Sequence, residues 1–323
     1  MTGEGPTPAS SLNTARLRSV VTGTGSALPS RVLTNQELEK MVDTSDEWIT
    51  SRTGIKERRI AADGEYLSQY ATEASRRALE MSGVPAEELD LILCATVTPD
   101  RLIPSPACTV QHNLGARPPA PVGLAAGCSG YIYALAVADR FLASGAYRHA
   151  LVIGGELLSK YVDWKDRTTC IIFADGAGAT LLSARQGIAG VLATSLRSDG
   201  SMADFIYIPA GGTILPTSEK TVQEGLHYIR MKGNETFKIA VRSIEEVSRE
   251  VITAAGLTAS DIDHYIPHQA NRRIIEAVGT RLGLRPEQVY LNIDRVGNTS
   301  SASIPIALDE AVRSGRVHPG DIL

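Results

Sequence analysis

The sequence has few cysteines, no excess of basic residues and no long apolar run. Four cysteines in 323 residues form no CxxC pair, which argues against a zinc site and against a disulfide framework. A net charge of −4 provides no basic field that would attract nucleic acid. No apolar stretch approaches the length that spans a bilayer. These absences argue against metal, nucleic-acid and membrane partners.

The N-terminal residues also lack the apolar stretch found in signal peptides. Residues 1–17 are polar and rich in Gly, Pro, Ser and Thr, and they predict a flexible tail. We therefore expect a cytoplasmic protein with reduced cysteines. The chain as a whole is 43% hydrophobic and 21% charged, which is typical of a soluble globular protein with an ample core.

Apolar segments alternate with helical patterns through the first half of the chain. Residues 91–97, 121–126 and 150–153 predict buried strands, and the segments between them predict helices. This alternation indicates an α/β fold with a mainly parallel sheet covered by helices. Further strands are predicted at residues 169–173, 177–183, 188–195, 264–267 and 289–293.

A weak internal repeat relates the two halves of the chain. An offset of 170 residues aligns residues 142–145 with residues 312–315, and the same offset places Asn298 opposite Cys128. Two halves of one fold that face each other would bring these two positions together. The similarity is faint, and chance is the alternative explanation.

The repeat predicts how the chain is divided. Residues 18–185 form the first half and residues 186–323 the second. Leu323 corresponds to Ile153, which lies in the middle of a predicted strand. We therefore expect that the chain lacks its last segment.

Cys128 lies at a corner between a predicted strand and a predicted helix at residues 131–144. The unpaired N–H groups and the dipole of a helix N-terminus favour an anion, so we expect a lowered thiol pKa and a reactive thiolate. Gly127 and Gly130 would allow a tight turn and the close approach of a substrate. The alternative is that Cys128 is one more small buried residue.

His268 and Asn298 also lie at predicted strand-to-helix corners. A thiolate, an imidazole and a carboxamide on three such corners would form a catalytic site. Taken singly, His268 could be a buried histidine that satisfies local backbone groups. Asn298 could be a turn or N-cap residue ahead of the following helix.

Three motifs together resemble β-ketoacyl-acyl-carrier-protein synthase III, a condensing enzyme with the thiolase fold. They are Gly127-Cys-Ser-Gly130, Pro267-His-Gln-Ala-Asn271 and Gly297-Asn-Thr-Ser300. Four more motifs match the family in the same order, at residues 44–49, 52–55, 175–178 and 231–234. The resemblance implies two pseudo-symmetric halves and a homodimer, with Cys128, His268 and Asn298 as the catalytic residues.

The resemblance also implies the reaction. An acyl-CoA primer transfers its acyl group to Cys128, and malonyl-acyl-carrier protein then loses CO2 and attacks the acyl-cysteine, which initiates fatty-acid biosynthesis. His268 and Asn298 would donate hydrogen bonds to the thioester oxygen on which negative charge grows. A thiolase would use a second cysteine as base, and no other cysteine lies in a comparable corner. Acyl-CoA is a substrate, so no cofactor is expected.

Five residues match family positions that contact coenzyme A. Trp48 and Arg167 would sandwich the adenine, with Arg52 on the phosphate-bearing part, and such side chains suit the stacking of a purine. Gly233 and Asn271 match positions that contact the pantetheine arm. From the residues alone, Trp48 could instead pack its helix onto the body of the protein, and Arg167 could form a surface ion pair.

The resemblance assigns Gln269, Arg273 and Lys238 to the contact with the acidic carrier protein. Charges at such a rim mostly affect the association rate. Ile103 stands where the family places a residue that reaches across the dimer to the acyl pocket. Because isoleucine is smaller than an aromatic residue and branched, we expect acyl groups longer than acetyl, or branched ones, to be accepted. The family continues into a glycine-rich loop beside the nucleophile, which is expected beyond Leu323.

Two other functions remain open at this stage. One is an acyltransferase or condensing enzyme of secondary metabolism with a different acceptor. The other is a non-catalytic subunit that binds an acyl-carrier partner. The presence of Cys128 together with His268 and Asn298 favours decarboxylative condensation over both, because simple acyl transfer would not require Asn298.

Overall fold

The computed structural model describes residues 17–323, so the predicted tail lies outside the described residues except for Leu17. In chain order the strands are β1 (Leu17–Ala27), β2 (Val32–Thr34), β3 (Glu57–Arg59), β4 (Leu91–Ala95), β5 (Ala120–Leu124), β6 (His149–Leu157), β7 (Asp175–Gln186), β8 (Ile206–Tyr207) and β9 (Arg230–Met231). The α-helices are α1 (Asn35–Leu38), α2 (Asp46–Thr53), α3 (Leu67–Ser82), α4 (Pro106–Leu114), α5 (Gly130–Ala143), α6 (Arg167–Cys170), α7 (Glu219–Gln223), α8 (Gly233–Ala254), α9 (Arg272–Leu282), α10 (Ile293–Val296) and α11 (Ser303–Arg313).

Five strands form one mixed sheet in the order β1-β7-β6-β4-β5. The central strand β4 is parallel to both β5 and β6, while β7 is antiparallel to β6 and to β1. Strand β7 is therefore antiparallel to the other four strands. This confirms the predicted α/β fold with a mixed, mainly parallel sheet.

Helices cover both faces of this sheet. Successive side chains of a strand point to opposite faces, and the five buried residues of β4 divide accordingly. Ile92 and Cys94 belong to the apolar cluster that contains α3 and α4. Leu91, Leu93 and Ala95 belong to the cluster that contains α5. The continuous apolar run is thus explained by burial on both faces.

Helix α11 docks directly on the five-stranded sheet. The Asp309 carboxylate is buried and accepts hydrogen bonds from the hydroxyls of Thr24, at 2.8 Å, and Ser26, at 2.6 Å. A Cβ at Gly178 of β7 would lie 2.7 Å from the backbone nitrogen of Ile306, so glycine is required for this approach. The docking holds the N-terminal end of α11 next to the sheet.

Two predicted strands of the first half differ from the structure. Residues 121–126 were expected to be buried, but β5 is an edge strand that pairs only with β4 among the described residues, and Val122 is 41% exposed. Residues 169–173 were expected to be a strand, but residues Arg167–Cys170 form α6. The Asp166 side chain caps this helix by accepting the N–H of Thr168 at 2.9 Å, which favours the helical turn.

The predicted strands of the second half are not formed as ladders within residues 17–323. Residues 188–195 run beside β1 with one backbone bond, from Val191 to the Ser19 carbonyl at 2.9 Å. Residues 264–267 and 289–293 meet in a single parallel bridge between Tyr265 and Val289. An apolar β-branched pattern permits a strand, but neighbouring backbone decides whether a ladder forms. The division into halves at residue 185 remains a prediction.

Candidate active site

Cys128 lies in a 3-10 turn, Gly127–Ser129, between β5 and the first turn of α5. Gly127 has a φ of 52°, a left-handed conformation that favours glycine. A Cβ at Gly130 would lie 3.0 Å from the Cβ of Ala95, so the glycine lets α5 begin against the central strand. The thiol of Cys128 is half-buried at the N-terminal end of the helix, where the sequence places it.

Asn298 lies on a second corner, which is held by backbone bonds. Its N–H donates to the Ile172 carbonyl at 3.1 Å, and its carbonyl accepts the N–H of Ala174 at 2.9 Å. In the buried side chain, Oδ1 accepts the N–H of Ser300 at 2.9 Å. With Oδ1 engaged in this way, the Nδ2 group of the carboxamide remains available as a donor.

Ser300 joins the two corners. Its hydroxyl donates to the Sγ atom of Cys128 at 3.4 Å, while its N–H holds Asn298. The same segment approaches the sheet closely, because a Cβ at Gly154 of β6 would lie 2.2 Å from the Ser301 carbonyl oxygen. The structure therefore brings together the two positions that the repeat offset pairs.

His268 is held by Ser303, the first residue of α11, which follows Ser300 closely in the chain. Its Nδ1 atom lies 2.7 Å from the Ser303 hydroxyl oxygen, which also accepts the N–H of Gln269 at 2.9 Å. That oxygen has one proton of its own, and the described residues offer it no other acceptor than Nδ1. A buried hydroxyl without an acceptor would be costly, so Nδ1 accepts and the imidazole proton is on Nε2.

Burial keeps the imidazole uncharged. Desolvation lowers the pKa of His268 from 6.5 to about 4. At neutral pH the ring is therefore neutral, with Nε2–H as a hydrogen-bond donor. A donor at Nε2 of His268 therefore brings no full positive charge to its surroundings.

The expected lowering of the Cys128 pKa is wrong in direction. Burial raises the pKa of the thiol above its ordinary value, and the negative charge of Glu156 raises it further, while the hydrogen bond from Ser300 lowers it. The dipole of a helix terminus is a modest effect at this position. Desolvation of the thiolate outweighs it.

The sequence reading missed Glu156, a fully buried carboxyl at the end of β6. Its oxygens accept hydrogen bonds from the hydroxyls of Thr98, at 2.5 Å, and Ser301, at 3.0 Å, and from the N–H of Val97 at 3.2 Å. Burial raises the pKa of Glu156 from 4.5 to about 7. A glutamate inside an apolar strand was the sequence signal. The residue links the segment after β4 to the segment that contains Asn298.

Ionisation of the buried Glu156 carboxyl lowers the free energy of unfolding of wild type as the pH rises. We expect Glu156→Gln to remove this pH-dependent penalty. Because the folded-state pKa is above the unfolded one, the penalty is absent below pH 4.5 and complete above about pH 7. The free energy of unfolding of the variant should therefore rise relative to wild type across this window, by on the order of 3 kcal/mol. Urea unfolding at several pH values measures it, with the exposed Glu87→Gln as control. A difference that does not change with pH would contradict the prediction.

The three residues predicted for the nucleotide end of coenzyme A lie together. The guanidinium carbons of Arg52 and Arg167 lie 4.7 and 5.1 Å from the centroid of a Trp48 ring. Arg167 also donates to the Asp43 carbonyl at 2.8 Å, which positions its side chain. Asn271 caps α9 and donates from Nδ2 to the Arg52 carbonyl at 2.9 Å, so it borders the same region. Trp48 and the two arginines therefore form one cation–π cluster.

The remaining predicted contacts divide into exposed and buried residues. Gly233 and Lys238 are exposed on α8, and Arg273 is exposed on α9 with its guanidinium 5.4 Å from the Phe237 ring centroid. Gln269 is 1% exposed, and all its side-chain hydrogen bonds go to the backbone of neighbouring residues. The amide of Gln269 is therefore enclosed, which disfavours the predicted contact with a carrier protein.

Ile103 is 85% exposed and Leu102 is 86% exposed. Neither side chain is enclosed by this chain.

Among residues 17–323, no group of three or more His, Cys, Asp or Glu side chains is placed to hold a metal ion. The helices in this part of the chain include none that is both long and apolar enough to cross a membrane.

Comparison with known sequences finds close relatives over most of the chain. The profile of 3-oxoacyl-[acyl-carrier-protein (ACP)] synthase III matches residues 123–200, and the profile of its C-terminal part matches residues 252–323. The beta-ketoacyl-[acyl-carrier-protein] synthase III of Caldanaerobacter subterraneus subsp. tengcongensis is 54% identical over 303 residues, which are 94% of this chain and 92% of the relative.

Comparison with solved structures finds the same family. The 3-oxoacyl-[acyl-carrier-protein] synthase III from Aquifex aeolicus VF5 has a TM-score of 0.86 and 48% identity, and the match covers 94% of this chain and 93% of that chain. The priming beta-ketosynthase from the R1128 polyketide biosynthetic pathway has a TM-score of 0.88 and 36% identity, with 95% and 91% covered. The thiolase fold expected from the motifs is confirmed.

Proposed function

This chain belongs to the 3-oxoacyl-[acyl-carrier-protein] synthase III family, and on that premise we propose that it condenses an acyl-CoA primer with malonyl-acyl-carrier protein. As a member it is a condensing enzyme of the acyltransferase class. The product is a 3-oxoacyl-acyl-carrier protein, and the step initiates fatty-acid biosynthesis. The observation that carries the proposal is the bridge through Ser300, whose N–H bonds Asn298 and whose hydroxyl bonds the thiol of Cys128.

In the first half-reaction, Cys128 accepts the acyl group. Its thiolate attacks the carbonyl carbon of the acyl-CoA thioester, and a new S–C bond forms. The bond between this carbon and the sulfur of coenzyme A breaks. The coenzyme A thiolate leaves with the electron pair and takes up the proton that Cys128 released. No resident cofactor takes part.

In the second half-reaction, His268 and Asn298 stabilise an enolate. The malonyl thioester loses CO2, and the electron pair of the broken C–C bond spreads onto the thioester oxygen. Nε2–H of His268 and Nδ2–H of Asn298 donate hydrogen bonds to this oxygen. The enolate carbon then attacks the acyl-cysteine carbonyl, so a new C–C bond forms and Cys128 leaves as a thiolate.

Coenzyme A binds along Trp48, Arg52 and Arg167 at its nucleotide end, and along Asn271 and Gly233 at its pantetheine arm. Two observations support this placement. Both guanidinium groups lie over the indole ring, so the side chains that would sandwich the adenine are close together. Asn271 is joined to Arg52 by a hydrogen bond. The exposed Arg273 and Lys238 provide positive charge for the acidic carrier protein.

Trp48→Ala should raise KM for acyl-CoA about tenfold and leave kcat within about twofold. Stacking of a base on an aromatic ring contributes about 1–3 kcal/mol, and this contact is the same in the ground and transition states. Steady-state kinetics with varied acyl-CoA measures the effect. Trp48→Phe is the matched control, since it retains a ring face. Equal KM values for wild type and Trp48→Ala would contradict the placement.

A homodimer completes the acyl pocket. Strand β5 leaves one edge of the sheet open, and Leu102 and Ile103 project into solvent from a single chain. Exposed apolar side chains beside an open strand edge suit a contact with a second copy. In that dimer, Ile103 of one subunit borders the acyl group bound in its partner.

Ile103→Phe should narrow the range of primers. We expect wild type to accept branched or longer acyl-CoA, and the larger ring to lower turnover of these primers about tenfold relative to acetyl-CoA. A panel of acyl-CoA primers with one carrier protein measures the ratio. Leu102→Phe, one residue away, is the control. Wild-type turnover restricted to acetyl-CoA would contradict the expectation.

A second candidate function differs in the pathway and the acceptor. The similarity to a priming β-ketosynthase of polyketide biosynthesis, at 36% identity, favours a condensing enzyme of secondary metabolism as the alternative. A pure acyltransferase is less consistent with the presence of both His268 and Asn298. A non-catalytic subunit is less consistent with a hydrogen-bonded thiol at Cys128.

Four free cysteines suit the reducing cytoplasm, where we propose that the enzyme works.

Reconstitution tests the proposed function. The chain is incubated with an acyl-CoA primer and malonyl-acyl-carrier protein, and the carrier protein is analysed by mass spectrometry. We expect the 3-oxoacyl form, and none when the primer is omitted. A carrier protein that remains malonylated with every primer would contradict the proposal. Condensation that occurs only with a carrier protein of secondary metabolism would favour the second candidate.

A further inference from the structure

Ser300 has an unusual backbone. Its φ of 49° lies in the left-handed region, and it is the one residue other than glycine with positive φ among residues 17–323. Such a conformation is disfavoured for a side chain with a Cβ, and strained residues of this kind gather at functional sites. The residue is also buried, at 4% exposure. Its position between Asn298 and Cys128 therefore needs an explanation.

The hydrogen bond from the backbone of residue 300 to Asn298 does not explain why this residue is a serine. Glycine would offer the same N–H to Oδ1 of Asn298 and would adopt this φ without strain. What the serine side chain adds is its hydroxyl, which lies 3.4 Å from Sγ of Cys128 as the donor of a hydrogen bond. The neighbouring Thr299 hydroxyl has no hydrogen-bond partner among the described residues. A hydroxyl in this turn therefore does not bond to the thiol merely because it is nearby in the chain.

The thiol benefits from such a donor because, apart from the N–H of Cys128 itself and the modest helix dipole, its other surroundings disfavour the thiolate. Burial acts against the charged form, and the nearby carboxyl of Glu156 on β6 acts in the same direction. His268 on the adjoining segment is neutral and supplies no positive charge. A hydrogen bond to a charged acceptor is about twice as strong as one between neutral groups. The Ser300 hydroxyl is therefore placed to favour ionisation of Cys128.

We propose that the Ser300 hydroxyl is a catalytic group that donates a hydrogen bond to the Cys128 thiolate and keeps this nucleophile reactive. The inference rests on the proposed function, in which Cys128 accepts the acyl group. It assigns two separate tasks to one residue. The backbone N–H of Ser300 orients Asn298 for the decarboxylation, and the side chain serves the acylation.

Alkylation of the Cys128 thiol tests the task of the Ser300 side chain without any substrate. Wild type, Ser300→Ala and Ser300→Gly are treated with iodoacetamide between pH 6 and pH 10, and the Cys128 peptide is quantified by mass spectrometry. Both variants lose the hydroxyl, and glycine also removes the strain. We expect the rate at pH 7.5 to fall about tenfold in each, with the thiol pKa higher than in wild type. Thr299→Val removes the unpartnered hydroxyl and should behave as wild type.

Decarboxylation tests whether the two tasks are separate. In a Cys128→Ala background, the release of CO2 from malonyl-acyl-carrier protein is compared with and without Ser300→Ala. We expect equal rates within about twofold, because the N–H to Asn298 remains. Alkylation profiles identical to wild type would overturn the proposal, and so would an equal loss in alkylation and decarboxylation. If Cys128 failed to accept acyl groups, the alkylation profiles would still decide the role of Ser300.

Discussion

Cys128→Ala is expected to abolish condensation, with a loss on the order of 10⁴-fold or more, because no other group in the site can carry the acyl chain. Release of CO2 from malonyl-acyl-carrier protein should persist, since His268 and Asn298 are unchanged. Product formation and CO2 release are measured in parallel. Cys108→Ala, at a half-buried thiol outside the site, is the matched control and should keep full activity.

The two assays together distinguish a nucleophile from a structural cysteine. Loss of both activities in Cys128→Ala would mean that the substitution disturbs the Asn298 corner. Retention of condensation would mean that the acyl group is carried elsewhere. Either result would contradict the role assigned to Cys128.

His268→Ala and Asn298→Ala should each slow decarboxylation by about 10²- to 10³-fold, the usual cost of removing one donor from a developing oxyanion. Acylation of Cys128 should remain within about threefold of wild type. Neither side chain activates the thiol, because the one donor to Sγ among the described side chains is Ser300. Rapid-quench measurement of each half-reaction provides the two rates.

His264→Ala provides the matched control for the histidine. That ring lies in the same segment but bonds to Asp321, at 3.2 Å, and not to the site. We expect its decarboxylation rate to equal that of wild type. A fall in acylation as large as the fall in decarboxylation would contradict the separation of roles. It would indicate that His268 acts as the base for Cys128.

Local signals in the sequence were sufficient for several parts of the fold and site. The apolar run of β4 predicted a strand buried on both faces, and its two apolar clusters confirm it. The glycines beside Cys128 and Asn298 indicated tight corners, and Gly127 and Gly297 have φ values of 52° and 72°. These features depend on the residue itself and its immediate neighbours.

The features that sequence reasoning missed depend on distant contacts. Gln269 belongs to a family motif, but it is buried because carbonyl groups at Pro267 and Tyr290 and two backbone N–H groups enclose its amide. The pKa of Cys128 moves opposite to expectation because burial is a property of the whole fold. Ser300 lies in the motif at residues 297–300, but no role was predicted for it, since its strained backbone and its bond to the thiol exist only after distant segments pack.

Mass spectrometry of the acyl group on Cys128 tests the central claim most directly. The chain is incubated with acyl-CoA, digested to locate the modified residue, and then exposed to malonyl-acyl-carrier protein. The account predicts one acyl group on Cys128, which malonyl-acyl-carrier protein removes with the appearance of a 3-oxoacyl-carrier protein. No adduct on Cys128, or an adduct that malonyl-acyl-carrier protein leaves in place, would contradict it.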